Sequence, residues 1–332
     1  MATTIIIAFE QFLSNTVNLD SEKTKSARAS RNWLIDRVHE FETKYDDFPK
    51  LYTEKDIGFG SFARRTKKRP LDDIDMMLCM TGRGASYSEN GGLIEITVSD
   101  NSNLRKLCFD DTDKLSSRKV INKFIEKLKN ISQYDNADIH RNQEACTLKL
   151  KSYEWNFDIV PCFFTTEGND GKTFYIIPDG AGNWKKTDPR IDKDKTTRIN
   201  QDCDGNVLNL IRIVKYWNKR PTMPSIPSYL LENMILNYFD GKDSFVSSYV
   251  DKEFSGILDE IQAQIFFPVY DPKGIQGDIN TLTIDERDKI STRAFVDSVK
   301  ASQARDAEKA GHTKSCFSKW QEIFGSEFPK YE

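Results

Sequence analysis

Gly58-Phe59-Gly60-Ser61-Phe62-Ala63-Arg64-Arg65-Thr66 leads within a few residues to Asp72-Asp73-Ile74-Asp75-Met76-Met77-Leu78-Cys79-Met80. The run from Ile74 to Met80 is apolar enough to be a buried strand, and in a strand successive side chains alternate between faces. Asp73 and Asp75 then project together from one face while Ile74 and Met76 pack into a core. Two carboxylates crowded on one spot repel, and a divalent cation between them relieves the repulsion; hard oxygen donors of this kind suit Mg²⁺ or Mn²⁺. An isolated Asp-x-Asp is common among solvated surface acids, so the pair needs company to mean a metal seat.

Upstream, Asp56 to Phe59 reads as a short strand closed by a Gly-Ser turn. Glycine allows close backbone approach, and Ser61 offers a hydroxyl and an amide at an expected helix start, which together make a cradle for phosphate. A plain turn fits the same two residues. Downstream, Trp155 to Phe164 is a second strand candidate in which Asp158 lies between apolar Phe157 and Ile159 and so projects from the other face. Three carboxylates on neighbouring strands would form a two-metal site, one ion activating an attacking hydroxyl and the other holding a triphosphate. The basic residues Arg64, Arg65, Lys67, Lys68 and Arg69 fit either a solvated loop or a contact to that triphosphate.

Around this centre the pattern is mixed. Helices are expected over residues 5–17 and 21–45, the second with Ala29, Trp33, Leu34, Val38 and Phe41 at helical spacing. A glycine-rich loop with Gly82, Gly84, Gly91 and Gly92 precedes a strand over residues 93–98. A helix over 118–128 and a strand over 146–153 follow, and then a long polar stretch, 165–201, reads as a lid or excursion. From residue 207 onward the chain is mainly helical, with helices expected over 207–219, 228–239, 249–264, 285–310 and 316–324.

The 332 residues carry 30% charged side chains but a net charge of only −3, which argues for a globular protein rather than a disordered chain and against one that grips a long polyanion. No apolar run approaches the roughly 20 residues that cross a bilayer, and Met1-Ala2-Thr3-Thr4-Ile5-Ile6-Ile7 lacks a basic region before its short apolar patch. A cytoplasmic location and no membrane partner are expected. The six cysteines are widely spaced without a Cys-x-x-Cys pair, so they read as reduced thiols.

The ordered set of Gly-Ser, Asp-x-Asp on a strand and a distant strand Asp resembles the DNA-polymerase-beta-like nucleotidyltransferase superfamily. Within it, Gly58 to Thr66, Asp72-Asp73-Ile74-Asp75 and Phe157-Asp158-Ile159-Val160-Pro161 are similar to the bacterial cyclic-oligonucleotide synthases, relatives of cyclic GMP-AMP synthase from anti-phage defence operons. Leu210-Ile211-Arg212-Ile213-Val214-Lys215-Tyr216-Trp217 and Pro227-Ser228-Tyr229-Leu230-Leu231-Glu232 extend the resemblance, as does the ending around Trp320 to Phe324 and Phe328-Pro329. The resemblance implies that Asp73, Asp75 and Asp158 are catalytic and hold metal. It also implies that Gly60, Ser61, Lys215, Ser228 and Tyr229 bind nucleotide, Lys215 and Ser228 at phosphate and Tyr229 by stacking on a base. From the residues alone, Lys215 equally fits a surface lysine beside a core stripe, Ser228 a helix N-cap and Tyr229 an ordinary amphipathic side chain. The His/Cys zinc insertion by which animal cyclic GMP-AMP synthase senses DNA has no counterpart here, so a DNA trigger is not implied.

The expected fold is therefore α/β (α+β): a polymerase-beta-like mixed sheet with N-terminal helices over residues 1–205, and a helical C-terminal lobe over 206–332 that closes over nucleotides. The expected activity condenses ATP, GTP or other nucleoside triphosphates into a cyclic di- or trinucleotide with release of pyrophosphate, using Mg²⁺ or Mn²⁺. A regulatory partner from the same operon is expected, and no long nucleic acid. A linear-oligonucleotide synthase or RNA-end nucleotidyltransferase of the same superfamily is the alternative, followed by an inactive binding module of the same fold.

Overall fold

A computed structural model describes residues 2–242 and 245–332. The strands are β1 (Ile57–Gly58), β2 (Asp73–Met80), β3 (Ser86–Asn90), β4 (Leu93–Thr97), β5 (Asp138–Asn142), β6 (Ala145–Lys149), β7 (Asn156–Phe164), β8 (Tyr175–Pro178) and β9 (Trp184–Thr187). The helices are α1 (Ile5–Phe12), α2 (Ser21–His39), α3 (Phe41–Lys44), α4 (Gly60–Ala63), α5 (Ser117–Leu128), α6 (Pro189–Asp202), α7 (Val207–Asn218), α8 (Ser228–Phe239), α9 (Val250–Gln264), α10 (Ile284–Lys309) and α11 (Thr313–Phe324). Among the described residues no helix is long and apolar enough to cross a membrane.

The chain forms two compact units, and neither is contiguous. A sheet unit comprises Glu22–Ala63 and Leu71–Ile191; a helical unit comprises Met1–Ser21, Arg64–Pro70 and Asp192–Glu332. The expected division at 205/206 runs along the chain, whereas compactness assigns the first helix, the basic segment after α4 and most of α6 to the helical unit.

In the sheet unit the strands run β1-β2-β7-β8-β9-β4-β3, and β6 pairs with both β5 and β7. The central pair is β2 with β7, parallel, with Asp75 opposite Asp158 and Cys79 opposite Cys162. Parallel strands are buried on both faces and read as continuous apolar runs. Here Ile74, Met76, Phe157 and Ile159 are buried on one face. On the other, Met77, Cys79, Val160 and Cys162 join Tyr175 and Ile177 in an apolar cluster. The aspartates stand where that second face begins, at the first residues of the two strands. Helix α5 covers part of the sheet with Val120, Ile121, Phe124 and Leu128.

Two expectations are corrected, and one strand appears that the pattern did not announce. The stretch 165–201 is not a lid or excursion: it holds β8, β9 and α6, and every residue of β8 is buried. The glycine loop before β4 contains β3, which is exposed along its whole length and so shows no alternation to read; it forms a hairpin with β4 through Gly91 and Gly92, both at positive φ. β5, with Ile139 its one buried residue, is likewise polar.

The helical unit is built on aromatic packing. Phe9 of α1 meets Trp320 edge-on at 4.9 Å and Phe328 at 5.0 Å, and Phe12 packs on Phe324 at 5.1 Å. These join Trp217 of α7 and Phe254 of α9 in one core. The expected helix over residues 5–17 ends as an α-helix at Phe12 and continues as a π-helical turn to Val17. The segment Arg64–Pro70 is tied to that turn: the Arg69 amide donates to Val17 O at 2.8 Å, and its guanidinium donates to Asn18 O and Asn15 O at 3.0 and 2.7 Å.

Candidate active site

In the sheet unit, β2 and β7 lie side by side in register, so their alternation brings Asp73, Asp75 and Asp158 to one spot. One carboxylate oxygen from each lies within 4.8 Å of the others, and all three residues are half-buried. At 4.8 Å, like charges repel by about 3.5 kcal/mol per pair at an effective dielectric constant near 20, before salt screening. A divalent cation turns this repulsion into attraction. The donor set is all carboxylate, with neither thiolate nor imidazole, which fits a hard, oxygen-seeking ion.

Asp158 has a support that the sequence reading did not identify. Thr147 of β6 is its register partner, and the Thr147 hydroxyl donates to Asp158 Oδ1 at 2.5 Å. Because Thr147 is buried, the bond fixes which way the carboxylate faces. The signal lies only in strand pairing; nothing within residues 145–149 announces it.

The Gly-Ser turn reaches the same spot. β1 pairs antiparallel with β2, Gly58 opposite Met76, and the Phe59 amide donates to Asp75 O at 3.3 Å. Gly60 follows at φ +70°, a conformation that L side chains rarely adopt. A Cβ at this position would lie 1.9 Å from Asp75 Oδ2 and 2.8 Å from its Cγ. Glycine is therefore what lets the turn press against the acidic strand. Ser61 is half-buried in the single turn of helix that follows.

The remaining expected residues belong to the helical unit. Lys215, on α7, is buried to 5% exposure, its ammonium ion-paired with Glu232 Oε1 and donating to Thr66 O at 3.2 Å. Glu232, on α8, is 2% exposed, and its other oxygen, Oε2, accepts from Arg64 Nε at 3.1 Å. Burial alone would raise the Glu232 carboxyl, but the Arg64 and Lys215 charges beside it hold it below its ordinary range. Ser228 is exposed and is the first residue of α8, whose N-cap is Pro227; the serine is one position too late to be the cap. Tyr229 is half-buried, its hydroxyl within 2.6 Å of Asp192 Oδ1 and 2.8 Å of Asp271 Oδ1. Burial, and then these carboxylates, push its phenol upward, so it stays neutral. The Lys273 ammonium lies 4.3 Å and the Arg64 guanidinium 5.9 Å from its ring centre.

Arg64 and Glu232 are thus built into a buried charge cluster that the sequence reading did not assemble. Arg64 read there as one member of a basic loop segment, yet its side chain is 12% exposed. The available signal was an acid, Glu232, inside the apolar run of α8.

No protein-family model matches the chain. A probable cyclic nucleotide synthase of Bacillus cereus strain VD146 is 48% identical over 334 residues, covering 100% of each chain. The cyclic AMP-AMP-AMP synthase of Escherichia coli strain MS 115-1 is 22% identical over 341 residues, covering 96% of each. Structures of CdnC from E. coli MS115-1, with ATP and in complex with HORMA-deltaN, superpose with TM-scores of 0.70 and 0.69 at 17% identity, covering 98% of each chain.

Proposed function

The chain belongs to the bacterial cyclic-oligonucleotide synthases, the relatives of cyclic GMP-AMP synthase, and from that membership and its acidic triad we propose that it condenses nucleoside triphosphates into a cyclic di- or trinucleotide with release of pyrophosphate. The observation that carries the reading is the convergence of Asp73, Asp75 and Asp158 on one spot against the Gly60 turn.

Asp73 and Asp75, on one strand face, would hold the divalent cation, with Asp158 completing the set. Mg²⁺ or Mn²⁺ there supplies charge neutralisation for the triphosphate and acidity for an attacking hydroxyl. Asp158, with Oδ1 held by Thr147, would take the proton of an acceptor ribose hydroxyl as that oxygen attacks the donor's α-phosphate. The new P–O bond replaces the α–β phosphoanhydride bond, and pyrophosphate leaves. The same transfer repeats for each nucleotide joined, and the last one, within the linear product, closes the ring and releases its 5′-triphosphate's β,γ-phosphates as pyrophosphate.

Gly60 and Ser61 would cradle the donor phosphates. The helical unit would add Lys215 and Ser228 as phosphate ligands, with Tyr229 beside a base. ATP is the first substrate to try, since the CdnC relative is seen with ATP. A cytoplasmic protein with a regulatory partner encoded beside it, acting in anti-phage signalling, completes the proposal; CdnC in complex with HORMA-deltaN is a precedent for such a partner. The test is incubation with all four labelled triphosphates, Mg²⁺ or Mn²⁺, and phosphatase. Phosphatase-resistant product supports the reading, and its absence under every mixture, with no pyrophosphate released, overturns it.

A further inference from the structure

Glu232 is buried, and each of its two carboxylate oxygens serves a different cation: Oε1 takes the Lys215 ammonium, and Oε2 takes the Arg64 guanidinium at 3.0 and 3.1 Å. The surrounding backbone is pinned as well. Lys215 holds Thr66 O, and Arg212 donates to Arg65 O at 2.7 Å and to Asn209 Oδ1 at 2.6 Å. Arg64 is the residue immediately after the helix that Gly60 and Ser61 open.

Stability alone is a weak reason for this arrangement. Replacing a buried ion cluster with packed apolar side chains is often neutral or stabilising, so such a cluster is weak evidence of a structural role. Two cations against one carboxylate leave a surplus positive charge at a fixed place. Lys215 has three N–H donors and commits two, and Arg64 commits only its Nε and one terminal nitrogen to Glu232. The remaining donors suit phosphate oxygens, which guanidinium and ammonium groups bind with charge-assisted hydrogen bonds.

We propose that Glu232 is a positioning residue that sets the spacing of two phosphate-binding cations, Arg64 and Lys215, for the triphosphate of the donor nucleotide. The proposal rests on the nucleotidyl-transfer reading and adds to it one phosphate ligand, Arg64, and the group that holds it. Glu232→Gln keeps the shape but turns an N–H₂ group toward one of the cations, so one of the two is displaced. Glu232→Asp keeps the charge but withdraws it by one methylene.

The experiment compares wild type, Glu232→Gln, Glu232→Asp, Arg64→Ala and the Arg64→Ala/Glu232→Gln pair, each checked for folding by circular dichroism. Donor KM and kcat are read by pyrophosphate release, and binding of α,β-methylene-ATP is read by calorimetry. Glu232→Gln is expected to raise donor KM and the analogue's Kd tenfold or more while kcat falls less than threefold. Glu232→Asp should lie between it and wild type, and in the Arg64→Ala background the effect of Glu232→Gln should shrink. A folded Glu232→Gln or Glu232→Asp variant with unchanged KM and Kd overturns the proposal, as do effects that multiply in the double variant. If both Glu232 variants fail to fold, a folded Arg64→Ala with wild-type Kd overturns it and a tenfold weaker one sustains it. A wild type that turns over no nucleotide would sink the transferase reading instead, and analogue binding would still report on Glu232.

Discussion

Gly60→Ala puts the close approach of the turn to Asp75 to the test. The added Cβ would sit 1.9 Å from Asp75 Oδ2, 2.8 Å from Cγ and 3.2 Å from Cβ, at φ +70°. The left-handed conformation costs a non-glycine residue about 1–2 kcal/mol, and the contact demands more than an ångström of movement. Either Asp75 rotates away from Asp73 and Asp158, or the turn backs off with Ser61. A misplacement of about 1 Å costs on the order of 100-fold in rate, or about 2.7 kcal/mol in the barrier. Pyrophosphate release should therefore fall by about 100-fold or more, while the melting temperature drops only a few degrees. Gly58→Ala is the control, because its Cβ would meet nothing closer than Ala63 Cβ at 3.8 Å and Gly58 has no positive φ. It should retain near wild-type turnover. Gly60→Ala activity within threefold of the control, or a loss that merely follows the unfolded fraction, would refute the reasoning.

Other outcomes follow from the same geometry. Asp73→Asn with Asp75→Asn, or Asp158→Asn alone, should abolish turnover while the protein stays folded; residual turnover above a few per cent in the double variant contradicts the metal seat. Thr147→Val is nearly isosteric and removes the hydrogen bond that orients Asp158, worth about 1.5–3 kcal/mol of stability, so the melting temperature should fall by several degrees and the turnover of the folded protein should drop; unchanged kcat would make Thr147 a packing residue. EDTA should stop the reaction, and Mg²⁺ should raise the melting temperature of wild type but not of the Asp73/Asp75 variant. Glu232 is held below its ordinary range in the folded protein, so its contribution to stability is complete above the unfolded pKa of about 4.3 and is lost as pH falls through the lower folded value. Melting curves between pH 6 and 3 should show less acid sensitivity in Glu232→Gln than in wild type, and equal sensitivity would contradict that assignment.

What the sequence made legible follows from how burial writes itself into local pattern. β2 and β7 are apolar runs because both of their faces are covered, and the aspartates stand out against them. β3 and β5 offered no such contrast, being exposed or nearly so, and β8 hid as four buried residues inside a polar stretch. Alternation along β2 pairs Asp73 with Asp75, and the resemblance adds Asp158 by placing its strand beside theirs. Thr147 required knowing that β6 lies beside β7 in a given register. Glu232 required partners 17 and 168 residues away in sequence, which no local pattern encodes. The basic segment from Arg64 to Arg69 was readable as charge but not as structure, since Arg64 pairs with Glu232, far along the chain.

The central claim is that the Asp73, Asp75 and Asp158 site joins nucleotides into a ring. Mass spectrometry of a phosphatase-treated reaction of wild type beside the Asp73→Asn/Asp75→Asn variant measures this most directly. The account predicts, for wild type alone, masses equal to whole numbers of nucleoside monophosphates less one water each. Linear products that keep a 5′-triphosphate before phosphatase treatment, at long times and with both metals, or the same products from the double variant, would contradict it.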